Sequence, residues 1–209
     1  MRGNYLCGHM SNEPYSVVFI GRSGCGKGTQ AELLKKLLEE KSGPQSVLYV
    51  YTGAHLRELT AHPEFLAARL LDEKILKPGE KAPDSLAIWA CTTELIHGAT
   101  ETNHIIVDGS PRTALEAQAL DEMFDFLDRK NVFHVWLNTS AEWVRDRMTA
   151  RGRSDDNFKN IERRLAYYEK FVAPAIEFYK KDTKHKFSEI NGEQSIDKVH
   201  QDIVRVVGL

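Results

Sequence analysis

The chain has 209 residues, enough for one domain with an ample core, and its 28 basic against 30 acidic side chains leave no bulk charge to draw it to nucleic acid or a membrane. Three cysteines, Cys7, Cys25 and Cys91, make no C-x-x-C or Cys/His ligand spacing, which points to a reducing compartment without structural zinc. No apolar run approaches transmembrane length. The first 14 residues lack the apolar segment of a signal peptide and read as a disordered extension, so the chain reads as cytoplasmic. Tyr15–Ile20, "YSVVFI", is a β-branched apolar run expected to form a buried strand. The glycine-rich turn "GRSGCGKGTQ" follows, and then a helix with Ala31, Leu34, Leu37 and Leu38 at helical spacing and a Gly43-Pro44 stop. Further strands are expected at Ser46–Tyr51, His104–Asp108, Val132–Leu137 and Lys186–Ile190, each separated from the next by helical stretches long enough for right-handed crossovers. In the long helix before the last strand, Ile161, Leu165, Tyr168, Val172, Ile176 and Tyr179 are expected in the core, with a kink at Pro174. The fold class is α/β, a parallel five-stranded sheet with helices on both faces.

In such a sheet a ligand binds beyond the carboxyl ends of the strands. Strand, glycine loop and helix together turn successive backbone N–H groups inward and set the positive end of a helix dipole against an anion. Gly21, Gly24 and Gly26 leave room for phosphate oxygens, Lys27 can reach terminal phosphates, and Thr29 supplies a hydroxyl for a magnesium shell. The hydroxyl stands two residues after the lysine rather than directly after it. Cys25, in the loop and next to a helix N-terminus, is expected to be the more reactive thiol. The second strand ends in "YTGAHLREL" and the third in "VDGSPRT", and the fourth strand and its helix lead to "RDRMTARGRSDDN" and "ERRLAYYEK". These arginines could form a solvated basic face, the usual fate of charge clusters, or bind phosphate, because guanidinium stays charged and grips phosphate oxygens through a planar fork. Asp108 fits an outer-shell magnesium partner. His55, His62 and His97 flank helices and read as surface or satisfied residues. Arg145 and Arg163 carry no assignable role.

From about Tyr15 to Leu209 the chain resembles the adenylate kinase family of nucleoside monophosphate kinases. The resemblance rests on G-x-x-G-x-G-K-G-T-Q at Gly21–Gln30 and on T-G-x-x-L-R at Thr52, Gly53, Leu56 and Arg57. It continues in D-G-x-P-R at Asp108, Gly109, Pro111 and Arg112, in G-R-x-D-D at Gly152, Arg153, Asp155 and Asp156, and in Arg164 in an R-L-x-x-Y context. Arg147 and Arg151 also fall on family arginine positions. The resemblance implies a P-loop NTPase-type sheet in a single kinase domain, 15–209, with a helical monophosphate-binding subdomain at 52–82 and a minimal lid at 151–154. Three departures stand out. Ala54 replaces an aspartate, Ser110 replaces an aromatic residue, and only Gly152 separates Arg151 from Arg153, so closure of the donor site must come mainly from helix movement and the arginines. A fourth departure concerns the acceptor base: Glu116 stands where the family has a base-reading glutamine, with Gln118 two residues on as the alternative reader.

The function so implied is reversible magnesium-dependent transfer of the terminal phosphoryl of ATP to AMP, giving two ADP, by a monomer. ATP would be held by Gly24, Cys25, Gly26, Lys27, Gly28, Thr29 and Arg147. AMP would be held by Thr52, Arg57, Ala82, Gly109, Arg112, Glu116, Gln118, Arg153 and Arg164. The catalytic set would be Lys27, Arg112, Arg147, Arg151, Arg153 and Arg164, with Mg2+ addressed by Thr29 and Asp108. A kinase for GMP, CMP or UMP remains open, since a carboxylate at Glu116 only accepts hydrogen bonds and suits guanine's two adjacent donors. From another class, a nucleotide-binding regulatory protein without catalysis also remains open. No nucleic-acid or membrane partner is expected.

Overall fold

A computed structural model describes residues 13–151 and 158–209, with Arg151 described in its backbone only. Among these residues five strands form one sheet in the order β2-β3-β1-β4-β5, every pairing parallel. The strands are β1 (Tyr15–Gly21), β2 (Val47–Tyr51), β3 (His104–Asp108), β4 (Asn131–Asn138) and β5 (Lys186–Asn191), each within a residue of its expected bounds. β1 lies at the centre and is buried along its whole length, as an unbroken apolar run requires when helices cover both faces.

Alternation along β1 divides the core in two. Val17 and Phe19 pack under α1 (Lys27–Ser42), α6 (Ala141–Arg151) and α9 (Ile196–Val207), through Leu34, Leu38, Val144, Met148 and Ile203. Val18 faces α4 (Asp84–Gly98) and α5 (Ala114–Phe126), through Cys91, Leu95, Leu120 and Phe124. Ile20 packs with Ala175, Ile176 and Tyr179 of α8 (Ala173–Lys181). Between β2 and α4 the chain inserts α2 (Thr52–Leu59), α3 (Leu66–Leu71) and a π-helical turn, Asp72–Leu76. Leu56, Leu71 and Ala90 form a small core of their own there, joined by Ile75, Leu76 and Ala82, so this insertion leans on α4 rather than on the sheet.

The expected core residues of the long C-terminal helix are all buried. That helix is α7 (Phe158–Tyr167) continued through a π-helical turn, Tyr168–Val172, into α8. Pro174 falls in the first turn of α8, where its missing N–H and its clash with the preceding turn are absorbed by the wider π turn. The expected extension at 1–14 and the lid at 151–154 fall largely outside the described residues. Among the described residues no helix is long and apolar enough to cross a membrane.

Candidate active site

The carboxyl ends of β1, β2 and β3 meet because the strands run in register, Phe19 opposite Asp108 and Asp108 opposite Tyr51. At the end of β1 the chain must turn sharply. A Cβ on Gly21 would stand 2.7 Å from the Leu137 carbonyl oxygen of β4, so only glycine lets the two strands end side by side. Gly26 caps α1 in the left-handed conformation (φ 101°), and nothing lies within 4 Å of where its Cβ would be. The mouth of the loop is therefore open at the helix N-terminus, where an anion is favoured.

Lys27 Nζ folds back over this loop and donates to the carbonyls of Gly21 and Arg22, each at 2.9 Å. Thr29 is exposed on the first turn of α1. Asp108 leans over the same turn, with its Oδ2 accepting from the Tyr49 hydroxyl at 3.2 Å and lying 3.3 Å from the Cβ position of Gly28. Burial first, and then the neighbouring Asp108 charge, push the Tyr49 hydroxyl well above its ordinary pKa, so it stays a donor to the carboxylate. An exposed hydroxyl and a fixed carboxylate across one loop form an oxygen donor set that suits a hydrated magnesium ion.

Cys25 departs from expectation. Its side chain is 3 % exposed and packs in the core beneath the loop, with Sγ 3.8 Å from Lys27 Nζ. Only its backbone can serve a phosphate, and the ready reactivity expected of a loop thiol is overturned by burial. Cys91 is buried too, and desolvation pushes its thiol up to about 12.

On the acceptor side, Thr52 opens α2 with its side chain buried and its hydroxyl against the Cys91 thiol of α4. Arg57, exposed one and a half turns later, has its guanidinium 5.3 Å above the Tyr51 ring. Ala82 is half-buried at the edge of the insertion core, its carbonyl accepting from Lys81 Nζ at 2.8 Å. After β3, Gly109 (φ 91°) passes beneath Tyr51, and the Ser110–Pro111 bond is cis. Arg112 Nε donates to the Gly109 carbonyl at 2.9 Å, and its guanidinium sits 5.9 Å above the Tyr167 ring.

Glu116 and Gln118 both lie on α5, with partners of their own. Thr113 caps α5, accepting from the Glu116 N–H at 3.2 Å, and Glu116 Oε2 reaches back to accept from the Arg112 N–H at 2.8 Å and the Ser110 hydroxyl at 3.0 Å. This is a capping-box arrangement displaced by one residue. Glu116 is 3 % exposed. Burial raises its pKa, and the two hydrogen bonds pull the other way. The carboxylate is thus committed to the loop that carries Arg112. Gln118 is exposed and donates to Glu122 Oε1 at 3.3 Å.

Of the arginine cluster, Arg147 is exposed on α6 and rests 4.7 Å above the Trp143 ring, and Arg164 is half-buried on α7. The Arg151 side chain, Arg153, Asp155 and Asp156 lie outside the described residues. Arg145 is spent on Glu162 of α7 at 2.7 Å, and Arg163 on the Pro78 carbonyl and Glu80 of the insertion. Sequence reasoning missed Arg22. Its Nε donates to the Thr139 carbonyl at 2.9 Å, its Nη2 pairs with Glu169 at 2.6 Å, and its guanidinium lies 3.8 Å above the Tyr168 ring. It ties the loop to the end of β4 and to the helix that carries Arg164. A long charged side chain inside a loop of small residues was the available signal.

A parallel sheet with a β1–loop–α1 anion site, facing a second polar cluster on β2, β3 and a helical insertion, defines a P-loop phosphotransferase with two substrate sites. The family model described as adenylate kinase matches residues 19–184, and the chain belongs to the adenylate kinase family. Among similar curated proteins are an adenylate kinase of Leptospira biflexa, 32 % identical over 91 % of this chain and 98 % of its own length, and adenylate kinase 1 of Nostoc sp., 30 % identical over 92 % and 98 %. An adenylate kinase of Deinococcus deserti is 31 % identical over 90 % and 94 %.

Proposed function

We propose that the chain catalyses ATP + AMP ⇌ 2 ADP with magnesium, with ATP phosphates on the Gly21–Thr29 loop and AMP between α2, α4 and the Gly109–Arg112 turn. The observation that carries this reading is the pairing of an open glycine loop with Thr52, Arg57 and Arg112 across one carboxyl edge of the sheet. Family membership supports the reaction class.

The chemistry asks little covalent work of the protein. An ionised oxygen of the acceptor phosphate attacks the terminal phosphorus of ATP, the bond to the bridging oxygen breaks, and ADP leaves with that oxygen's electron pair. No proton must move, so no base is needed. The histidines are consistent with that. His104 accepts the Tyr15 N–H at 3.0 Å at the amino end of β3, and His134 is fully buried against Tyr179. What the reaction requires is charge placed in advance around the moving phosphoryl. Lys27 exchanges its two carbonyl partners for donor phosphate oxygens. Arg57 and Arg112 orient the acceptor, while Arg147, Arg151, Arg153 and Arg164 neutralise the transferring group. Bound Mg2+, approached by Thr29 and Asp108, supplies further charge neutralisation on the phosphates. With only Gly152 between Arg151 and Arg153, donor cover is assigned to helix movement and to these arginines.

AMP is preferred to GMP as acceptor because Glu116 serves Ser110 and Arg112 and is not presented as a carboxylate to guanine. A coupled assay with ATP and each of AMP, GMP, CMP and UMP tests the proposal. Turnover with AMP well above the others is expected, and turnover with none would leave nucleotide binding alone.

A further inference from the structure

Away from the phosphates, α2 and α4 bring together three side chains that the reaction does not use. His55 and Glu58 lie one turn apart on α2, and Glu94 faces them from α4. The imidazole is held by its contact with Trp89, ring centroids 4.9 Å apart, which turns Nδ1 toward the two carboxylates. Nδ1 lies 3.1 Å from Glu94 Oε1 and 3.5 Å from Glu58 Oε2, and the three atoms all fall within 4.8 Å of one another. Nδ1 is buried, so the group it faces is this pair of carboxylates.

These separations can be compared with those of a bound ion. A tetrahedral ion bound at about 2.0–2.2 Å by one imidazole nitrogen and carboxylate oxygens holds its ligand atoms about 3.3–3.5 Å apart, with the nitrogen lone pair aimed at the centre of the group rather than at any one oxygen. The observed 3.1 and 3.5 Å, with all three ligand atoms within 4.8 Å of one another, leave room for one ion between them. One nitrogen with two oxygens selects a borderline divalent ion, Zn2+ or Co2+, over Mg2+, which prefers an all-oxygen octahedron. Glu58 is exposed and leaves a side open for entry and for a water ligand.

We propose that His55, Glu58 and Glu94 form a binding site for a divalent transition-metal ion, distinct from the magnesium of the reaction. The spacing of the cysteines that excludes a thiolate-bound structural zinc leaves a His/carboxylate site untouched. The ion cross-links α4 to α2, the helix that begins at Thr52.

The test uses the full chain, stripped with chelator, and Zn2+ competed against a chromophoric chelator. Wild type is expected to hold one more Zn2+ than His55→Ala, and Glu94→Gln to bind that ion at least about tenfold more weakly. Co2+ should give visible absorption bands in wild type that His55→Ala lacks. His55 and Glu94 are not core residues, and circular dichroism of each variant checks that it is folded. Identical Zn2+ isotherms for wild type and His55→Ala, or no Zn2+ held by wild type, overturn the proposal. Because no readout involves phosphoryl transfer, either result leaves the kinase reading where it stood.

Discussion

The Arg112 backbone N–H donates to Glu116 Oε2 at 2.8 Å, an oxygen that also accepts from the Ser110 hydroxyl at 3.0 Å. A residue at a base-reading position in sequence is thereby an internal strut of the turn that carries Arg112. Glu116→Ala strands two donors in a buried place and should cost about 1–3 kcal/mol of stability while raising KM for AMP more than it lowers kcat. Glu116→Gln, which keeps an acceptor oxygen, should leave the ratio of kcat/KM for AMP and GMP nearly unchanged. A ratio moved by an order of magnitude would show that the carboxylate faces the base after all.

Lys27 holds the loop through the Gly21 and Arg22 carbonyls when it has no phosphate to bind. Lys27→Met should therefore leave the fold intact, as circular dichroism would report, and lower kcat by roughly a hundredfold or more through lost charge stabilisation. Near-normal turnover would remove the loop from the donor site.

Both thiols within the described residues are buried, Cys25 at 3 % exposure and Cys91 at 4 %, and Cys91 is further disarmed by a pKa pushed up to about 12. In the native protein each should react with iodoacetamide far more slowly than in urea, whether or not ATP is bound. Peptide mapping separates them from Cys7. Rapid, ATP-protected labelling at Cys25 would mean that its side chain reaches the mouth of the loop.

His134 is wholly buried, stacked on Tyr179 of α8 at 3.8 Å, with Nε2 2.9 Å from Asp121 of α5 and the His185 ring 5.8 Å away. Burial lowers its pKa despite the Asp121 charge, so the folded state holds it neutral. The unfolded chain takes up that proton near pH 6.5, so stability is full above about 6.5 and is lost as pH falls from there toward the folded value. His104, lowered by burial and by Arg129, adds in the same direction. Urea unfolding from pH 8 to pH 5 should show this decline, and His134→Phe should flatten part of it. An unchanged slope in the variant would mean that the imidazole titrates alike in the folded and unfolded chain.

The strands and the loop were legible because both depend on local sequence. A strand buried on two faces must be an apolar β-branched run, as β1 is, and Gly21 must be glycine because a carbonyl of β4 fills the space of a Cβ. The site was less legible wherever one residue type serves two physical ends. Thr113-x-x-Glu116 is both a helix-cap pattern and a base-reading spacing, and only the bonds to Ser110 and Arg112 decide between them. The direction of Cys25, down into the core, and the anchoring of Arg22 by Glu169 and Tyr168 rest on contacts across more than a hundred residues of chain in the latter case, which no local window contains. The π-helical turn before Pro174 was foreshadowed only as a kink.

The central claim, phosphoryl transfer from ATP to AMP across the carboxyl edge of the sheet, is tested most directly by following ATP, AMP and ADP together in one magnesium-containing reaction. The account predicts that two ADP appear for each AMP consumed, that the same equilibrium mixture is reached from ADP alone, and that GMP, CMP and UMP substitute poorly. ATP lost without matching loss of AMP, or no turnover with any monophosphate, would contradict it.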